Sequence, residues 1–289
     1  MDLALDTTDI TRFFGLGALD RLMSRNGFDR AVERMAQQAL LNYKGNWLLS
    51  RLLNDRGRYS ASLLVLDLHF NANAGRGMTA AELRSETVAW EICSAGRATA
   101  FLAALRFGKF VRELPTSDRR ASRFGPTDVF LAAHRLRWSN IFQAVQAFDP
   151  DLAERGLSAP DALIFGPGLK CIANHLRGGV RPFCAMPVIC DFADREGGFG
   201  MLVSLFVLKE GEVLTARAAG ERFSISRTHA ATLLRKAVRD GLARAVPEGF
   251  VAGPLLMPSL RSLFGMVFLI FEQAFTASQA MPQGRCASA

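Results

Sequence analysis

Cysteine is scarce in this chain, five in 289 residues and irregularly spaced. That excludes a disulfide framework, which needs dense, paired cysteines in a small domain. Charge is ordinary, at 21% of residues against 49% hydrophobic, a balance that excludes bulk disorder. Lysine is rare, so nearly all of the 35 cations are arginine, the better fork for phosphate and guanine. The opening Met1-Asp-Leu-Ala-Leu-Asp6 has no basic stretch followed by an apolar core. No secretory signal is therefore expected, and the expected compartment is the cytoplasm. The strongest apolar run, Leu255 to Phe275, is interrupted by Pro258, Arg261 and Glu272. Its uninterrupted part falls short of the ~20 residues of a membrane span. It reads as a helix buried all round in an interface, and no membrane partner is expected.

Catalytic patterns are missing as well. His69, His134 and His229 stand apart from any nucleophile pattern, and Gly15-Leu-Gly17 and Gly166-Pro-Gly168 lack phosphate-loop spacing. Cys171, His175, Cys184 and Cys190 are zinc-compatible types at no common finger spacing. The reading is accordingly of a protein that is not an enzyme, with no catalytic residue, no metal and no cofactor.

What the chain does have is an internal echo. Ser94-Ala95-Gly96-Arg97-Ala98-Thr99-Ala100 opens one helical run, and Ser224-Ile225-Ser226-Arg227-Thr228-His229-Ala230 opens another 130 residues later. Each follows a short amphipathic stretch that begins at a threonine, Thr79-Ala-Ala-Glu82-Leu83 or Thr215-Ala-Arg-Ala-Ala219. The first of these matches a capping box. Each run is succeeded by strand-like segments, a proline (Pro126, Pro254) and a long apolar helix closing on Gln-Ala-Phe, at 146–148 and 273–275. Upstream, Asn54-Asp55-Arg56-Gly57 is echoed by Ala193-Asp194-Arg195-Glu196-Gly197. Helix, tight turn, helix with a polar basic start, then β-ribbon is the order of a winged helix-turn-helix.

Charge follows the same division. Residues 94–123 carry a balance of +5 and residues 221–244 one of +4, together the whole positive excess of the chain. Two anion-facing surfaces are the expectation, against the plainer reading of two solvated helix faces. The boundaries that follow are a helical interface segment 1–45, a first winged unit 46–148, a linker 149–183 marked by Gly and Pro breaks, a second winged unit 184–275 and a tail 276–289. The first turns of a recognition helix approach base edges. That selects Ser94, Gly96, Arg97 and Thr99 in the first unit and Ser224, Ser226, Arg227, Thr228 and His229 in the second. Small residues permit close approach and arginine offers a bidentate fork to guanine. Ser94 and Ser224 also read as N-caps.

The segment Pro115-Thr-Ser-Asp118-Arg119-Arg120-Ala-Ser-Arg123-Phe-Gly-Pro-Thr127-Asp128 resembles the wing and following helix start of MarR-type regulators. Thr79-Ala-Ala-Glu82-Leu83 is similar to that family's second helix, and the resemblance covers roughly residues 60–148. It implies that Arg120 probes a minor groove, that Asp118 orients it, and that Arg119 and Arg123 contact phosphates. It also leaves room for a small-molecule effector and a homo-oligomer. The second wing, Val246-Pro-Glu-Gly-Phe250, has no arginine at its tip, so the wings make the first unit the stronger reader.

The expected fold is mostly α with small β-wings, as tandem winged helix-turn-helix domains in pseudo-twofold arrangement. The expected function is sequence-specific binding of double-stranded DNA by a transcriptional regulator. The alternative is a protein-interaction module, an antirepressor or polymerase-binding adaptor, that keeps this fold without reading DNA.

Overall fold

Glycine divides the amino-terminal apolar stripe into short pieces. The computed structural model describes residues 8–43, 47–116, 122–183 and 185–277. Helix α1 (Thr8–Phe14) ends at Gly15 and α2 (Ala18–Met23) begins after Gly17, both glycines at positive φ. Gly27, at φ 86°, sits at the start of α3 (Phe28–Leu41). A Cβ at Gly27 would overlap the Ala147 carbonyl, so the missing side chain is what lets this corner seat against residues 146–148.

Helix α4 (Trp47–Leu53) precedes α5 (Arg56–Asp67). The expected turn at Arg56-Gly57 is already helical, because the Asp55 carboxylate accepts the Arg58 amide at 2.8 Å and caps the helix there. A π-helical turn, Leu68–Ala72, extends α5, and β1 (Met78–Thr79) leads into α6 (Ala80–Ala89). The expected capping box is present in both directions: the Glu82 amide donates to Thr79 Oγ1 at 3.1 Å, and the Thr79 amide donates to Glu82 Oε2 at 2.6 Å. Helix α7 (Ala95–Phe107), strands β2 (Val111–Leu114) and β3 (Arg123–Pro126), and helix α8 (Asp128–Val145) complete the first unit.

The segment 149–183, expected as a linker, is largely helical and buried. It forms α9 (Pro150–Ser158), α10 (Asp161–Leu163), a π-helical turn (Ile164–Gly168) and α11 (Leu169–Arg177). Asp149-Pro150 reads as a break, yet the Asp149 carboxylate accepts the Leu152 amide at 2.9 Å and proline occupies the first turn, where its missing N–H costs nothing. From α11, Arg177 reaches the buried Asp67 carboxylate at 2.7 Å and Glu86 at 2.9 Å. One side chain of the middle segment thus holds α5 and α6 together.

The second unit comprises α12 (Pro187–Ala193), α13 (Gly198–Phe206), α14 (Ala216–Phe223), α15 (Arg227–Arg239), β4 (Ala243–Val246), β5 (Gly249–Ala252) and α16 (Leu256–Ala277). Gly241, at φ 73°, turns the chain out of α15 into β4 as the sequence predicts. The sheets are small and antiparallel: β1-β3-β2, with Val111 opposite Pro126 and Leu114 opposite Arg123, and β4-β5, with Ala243 opposite Ala252. The fold is therefore mostly helical with small antiparallel sheets.

One continuous hydrophobic core joins these elements, and α16 runs through it. Between Ser262 and Phe271 only Val267 is more than slightly exposed. Trp138 and Phe142 of α8 meet Phe271 edge-on at 5.6 Å, Phe142 meets Phe275 at 4.6 Å, and Phe28 of α3 meets Phe268 at 6.0 Å. The long helices that end each unit thus pack on each other and on residues 18–41. No described helix is long and apolar enough to cross a membrane. On the opposite side, the two upstream echoes lie against each other: Arg56 donates to both Asp194 oxygens at 2.9 and 2.8 Å, and Arg51 pairs with Glu196.

Two consequences for stability can be measured. Gly27→Ala should cost at least about 2 kcal/mol in urea unfolding, because it combines a left-handed alanine with a backbone overlap. His134 is fully buried between Tyr59 and Phe130, and neither ring nitrogen has a partner among the described residues. Burial, reinforced by the Arg137 charge, pushes its pKa from 6.5 down to about 3. The unfolded chain then binds the extra proton first, so this contribution to stability is complete above pH 6.5 and is lost as pH falls below it. Between pH 7 and 5 the loss should be about 2 kcal/mol, and unfolding curves of His134→Leu should lack that share of the acid dependence.

Candidate nucleic-acid interface

Each unit builds its second helix in the same way. Thr79 caps α6, and Thr215 caps α14 by accepting the Ala218 amide at 3.1 Å. The residue before each threonine pairs with the return strand: Met78 lies opposite Phe124, and Leu214 opposite Phe250. That pairing fixes α6 and α14 relative to their hairpins. The following helices, α7 and α15, then lie across them, capped by Ser94 (accepting the Arg97 amide at 3.4 Å) and by Ser226 (accepting the His229 amide at 3.1 Å).

The structural register of the repeat therefore differs from the sequence echo by two residues. Ser94 corresponds to Ser226, whereas the echo pairs it with Ser224. Ser224 is not an N-cap. It stands at φ 54° and ends α14 in a left-handed turn. The buried faces confirm the shift, because Ala98, Phe101, Leu102 and Leu105 share their spacing with Ala230, Leu233, Leu234 and Ala237, all 5% exposed or less. In this register Arg97 matches His229, and Arg227 has Ala95 as its counterpart.

Solvent faces of the two helices differ accordingly. On α7 the exposed positions Ala95, Gly96, Thr99, Ala100, Ala103 and Phe107 are small or apolar, and the exposed cations are Arg97 and Arg106. The Phe107 ring is 85% exposed, and a Cβ on Gly96 would meet open space. The Thr99 hydroxyl donates to the Ala95 carbonyl at 2.9 Å. Arg97 is 62% exposed and lies 3.8 Å from Asp55. On α15 the exposed positions are Arg227, Thr228, Thr232, Arg235 and Arg239, followed by Arg244 on β4. None of these four arginines has a carboxylate within ion-pair distance among the described residues, and Arg235 only meets the Thr232 hydroxyl at 3.4 Å. Lys236, by contrast, is tied to Asp240 at 2.7 Å and Asp191 at 2.9 Å.

The first wing is known only at its base. Asp118, Arg119 and Arg120 lie outside the described residues. Arg123, expected on a phosphate, donates to the Gly77 carbonyl at 3.0 Å and lies 3.6 Å from Glu82. It joins the return strand to the start of α6. Arg106 is stacked over the Phe124 ring at 4.8 Å, and the Thr127 hydroxyl donates to the Phe110 and Lys109 carbonyls at 3.0 and 3.1 Å. Thr232, Arg235, Arg239 and Arg244 are missed when only the first turn of a helix is selected. Thr232, Arg235 and Arg239 follow Thr228 in steps of four, three and four, which was the available signal; Arg244, on β4, lies outside that spacing.

The zinc-compatible residues do not converge. His175 Nδ1 donates to the Cys171 carbonyl at 2.8 Å, its Nε2 lies 2.7 Å from the Gln273 side-chain amide and its ring stacks on Phe14, while Cys184 lies outside the described residues. Among the described residues no three His, Cys, Asp or Glu side chains are grouped for a metal.

No family model, curated protein or solved structure matches the chain. The geometry of the two helices has to carry the functional argument.

The register is open to a direct test on stability. Ser226→Ala should cost about 1 kcal/mol through its lost cap. Ser224→Gly should gain up to about 1 kcal/mol by relieving the left-handed serine. Urea denaturation of both variants reads the contrast, and equal losses would place the cap wrongly.

Proposed function

We propose that the protein is a sequence-specific transcriptional regulator that binds double-stranded DNA through two winged helix-turn-helix units in pseudo-twofold arrangement. The observation that supports it most is the outer face of α15, where Arg227, Arg235 and Arg239 and the adjacent Arg244 are exposed without carboxylate partners. Surface arginines with nothing to neutralise them on the second helix of a helix-turn-helix suit the phosphate oxygens and guanine edges of a major groove. Thr228 and Thr232 on the same face add hydroxyls for phosphate or base. The resemblance of the first wing to MarR-type regulators favours the same reading, with Asp118 and Arg120 at a minor groove.

The helices reverse the ranking that the wings suggest. In this proposal α15 makes the main major-groove contact, and the first unit contributes chiefly through its wing. A second reading has its own support in the first unit: the exposed Phe107 ring and the Asp55 contact of Arg97 suit a surface that meets protein.

Fluorescence anisotropy with a pool of labelled duplexes at several salt concentrations separates the two. A DNA reader should lose affinity steeply with salt, by a slope near −0.9 per phosphate neutralised. Arg235→Ala or Arg239→Ala should weaken binding by roughly 3- to 10-fold and reduce the slope by about one. Absence of duplex binding at low salt would replace the regulator by the adaptor.

A further inference from the structure

The echoed segments 54–57 and 193–197 face each other across a cleft of about 810 Å³ at the junction of the two units. That is within the roughly 300–1,000 Å³ of small-molecule sites. Its walls hold five arginines (Arg51, Arg58, Arg97, Arg195, Arg222) and three carboxylates (Asp55, Asp194, Glu196), a surplus of two positive charges. Each carboxylate is already matched, Asp55 by Arg97, Glu196 by Arg51 and Asp194 by Arg56 from behind the lining, and Arg195 meets Asp191 at 3.8 Å, so the surplus rests on Arg58 and Arg222. Arg58 of α5 and Arg222 of α14 line the cleft from different units, and neither has a carboxylate within ion-pair distance among the described residues. The one hydrogen bond of the Arg222 guanidinium is to Ser204 Oγ at 3.1 Å. Leu48 and Ala104, both partly exposed, give the same cleft an apolar side, with Phe101 and Phe223 buried behind them.

We propose that this cleft binds a small organic phosphomonoester, its phosphate between Arg58 and Arg222 and its apolar body against Leu48 and Ala104. The charge fits, because a phosphomonoester carries about −1.5 to −2 at neutral pH and meets the surplus of two. The donors fit, because guanidinium forks match phosphate oxygens. The apolar wall calls for an organic body, which neither inorganic phosphate nor the outer backbone of a duplex supplies. The site stands independently of DNA reading by α15.

Calorimetric titration of the full chain with 1-naphthyl phosphate tests it, with inorganic phosphate and 1-naphthol as the separate halves of the ligand. The compound should bind at least about tenfold more tightly than either half. The exposed double substitution Arg58→Gln, Arg222→Gln should weaken it by roughly tenfold or more while circular dichroism and melting stay those of the parent. Ala104→Phe, which fills the apolar side, should weaken it comparably. No binding, equal affinity for naphthyl phosphate and inorganic phosphate, or undiminished binding in the double variant would each overturn the proposal. The last two indicate, respectively, a simple anion surface and a different site.

Discussion

The burial of the middle of α16, residues 262–271, on nearly every side is the constraint on which the rest of the molecule depends. A helix carrying Leu260, Leu263, Phe264, Phe268, Phe271 and Phe275 cannot leave any face in water without a large penalty, at roughly 1.5–3 kcal/mol for each large apolar side chain. Helices α2, α3, α8 and α11 supply the cover, and the edge-on rings of Trp138 and Phe142 fix how α8 lies against it. Because α8 ends the first unit and α16 the second, the same packing that satisfies one helix decides where both units stand. The fold is in this sense assembled from its centre outward, and the small sheets and capped helices are peripheral to it.

Local chemistry was legible in the sequence wherever one or two side chains decide the outcome. Thr79 and Glu82 make the capping box their spacing implies, and both hairpins fall between the anticipated helices. Before α11, where the sequence already implies a short helix near Leu169–Leu176, the middle segment was not legible, because proline and glycine have two meanings. Asp149-Pro150 is equally a turn and a helix start, and only the packing of α9 on α8 selects the second. Gly156 has no side chain because the Phe142 ring fills that space, a contact invisible along the chain.

The two helices α7 and α15 were legible in their location and misread in their register. Two serines separated by one residue, Ser224 and Ser226, both suit an N-cap, and the first gives the better match to Ser94 by letters alone. The choice is made by backbone geometry: Gly220 lies against the Ile225 carbonyl and leaves Ser224 to close the turn. A helix turns about 100° per residue, so a slip of two compares the outward face of one helix with the inward face of the other. That is why the arginine-rich middle of α15 stayed hidden behind its first turn. With the register corrected, the two helices differ in charge: α7 exposes Arg97, held near Asp55, and Arg106, stacked on Phe124, whereas α15 exposes Arg227, Arg235 and Arg239 without carboxylate partners among the described residues.

The clamp that Arg177 makes on Asp67 and Glu86 has a further consequence. Two binding heads joined by a slack tether gain from high effective concentration and tolerate many separations between their targets. On the proposed function, two heads built on one common core, with Arg177 tying the middle segment to the first of them, would behave as a single rigid tool. Such a tool gives up tolerance for accuracy: it would engage both halves of a target only at the one spacing and rotational phase its core imposes. Any agent that alters the junction would act by changing that phase, without needing to touch the surface that does the binding.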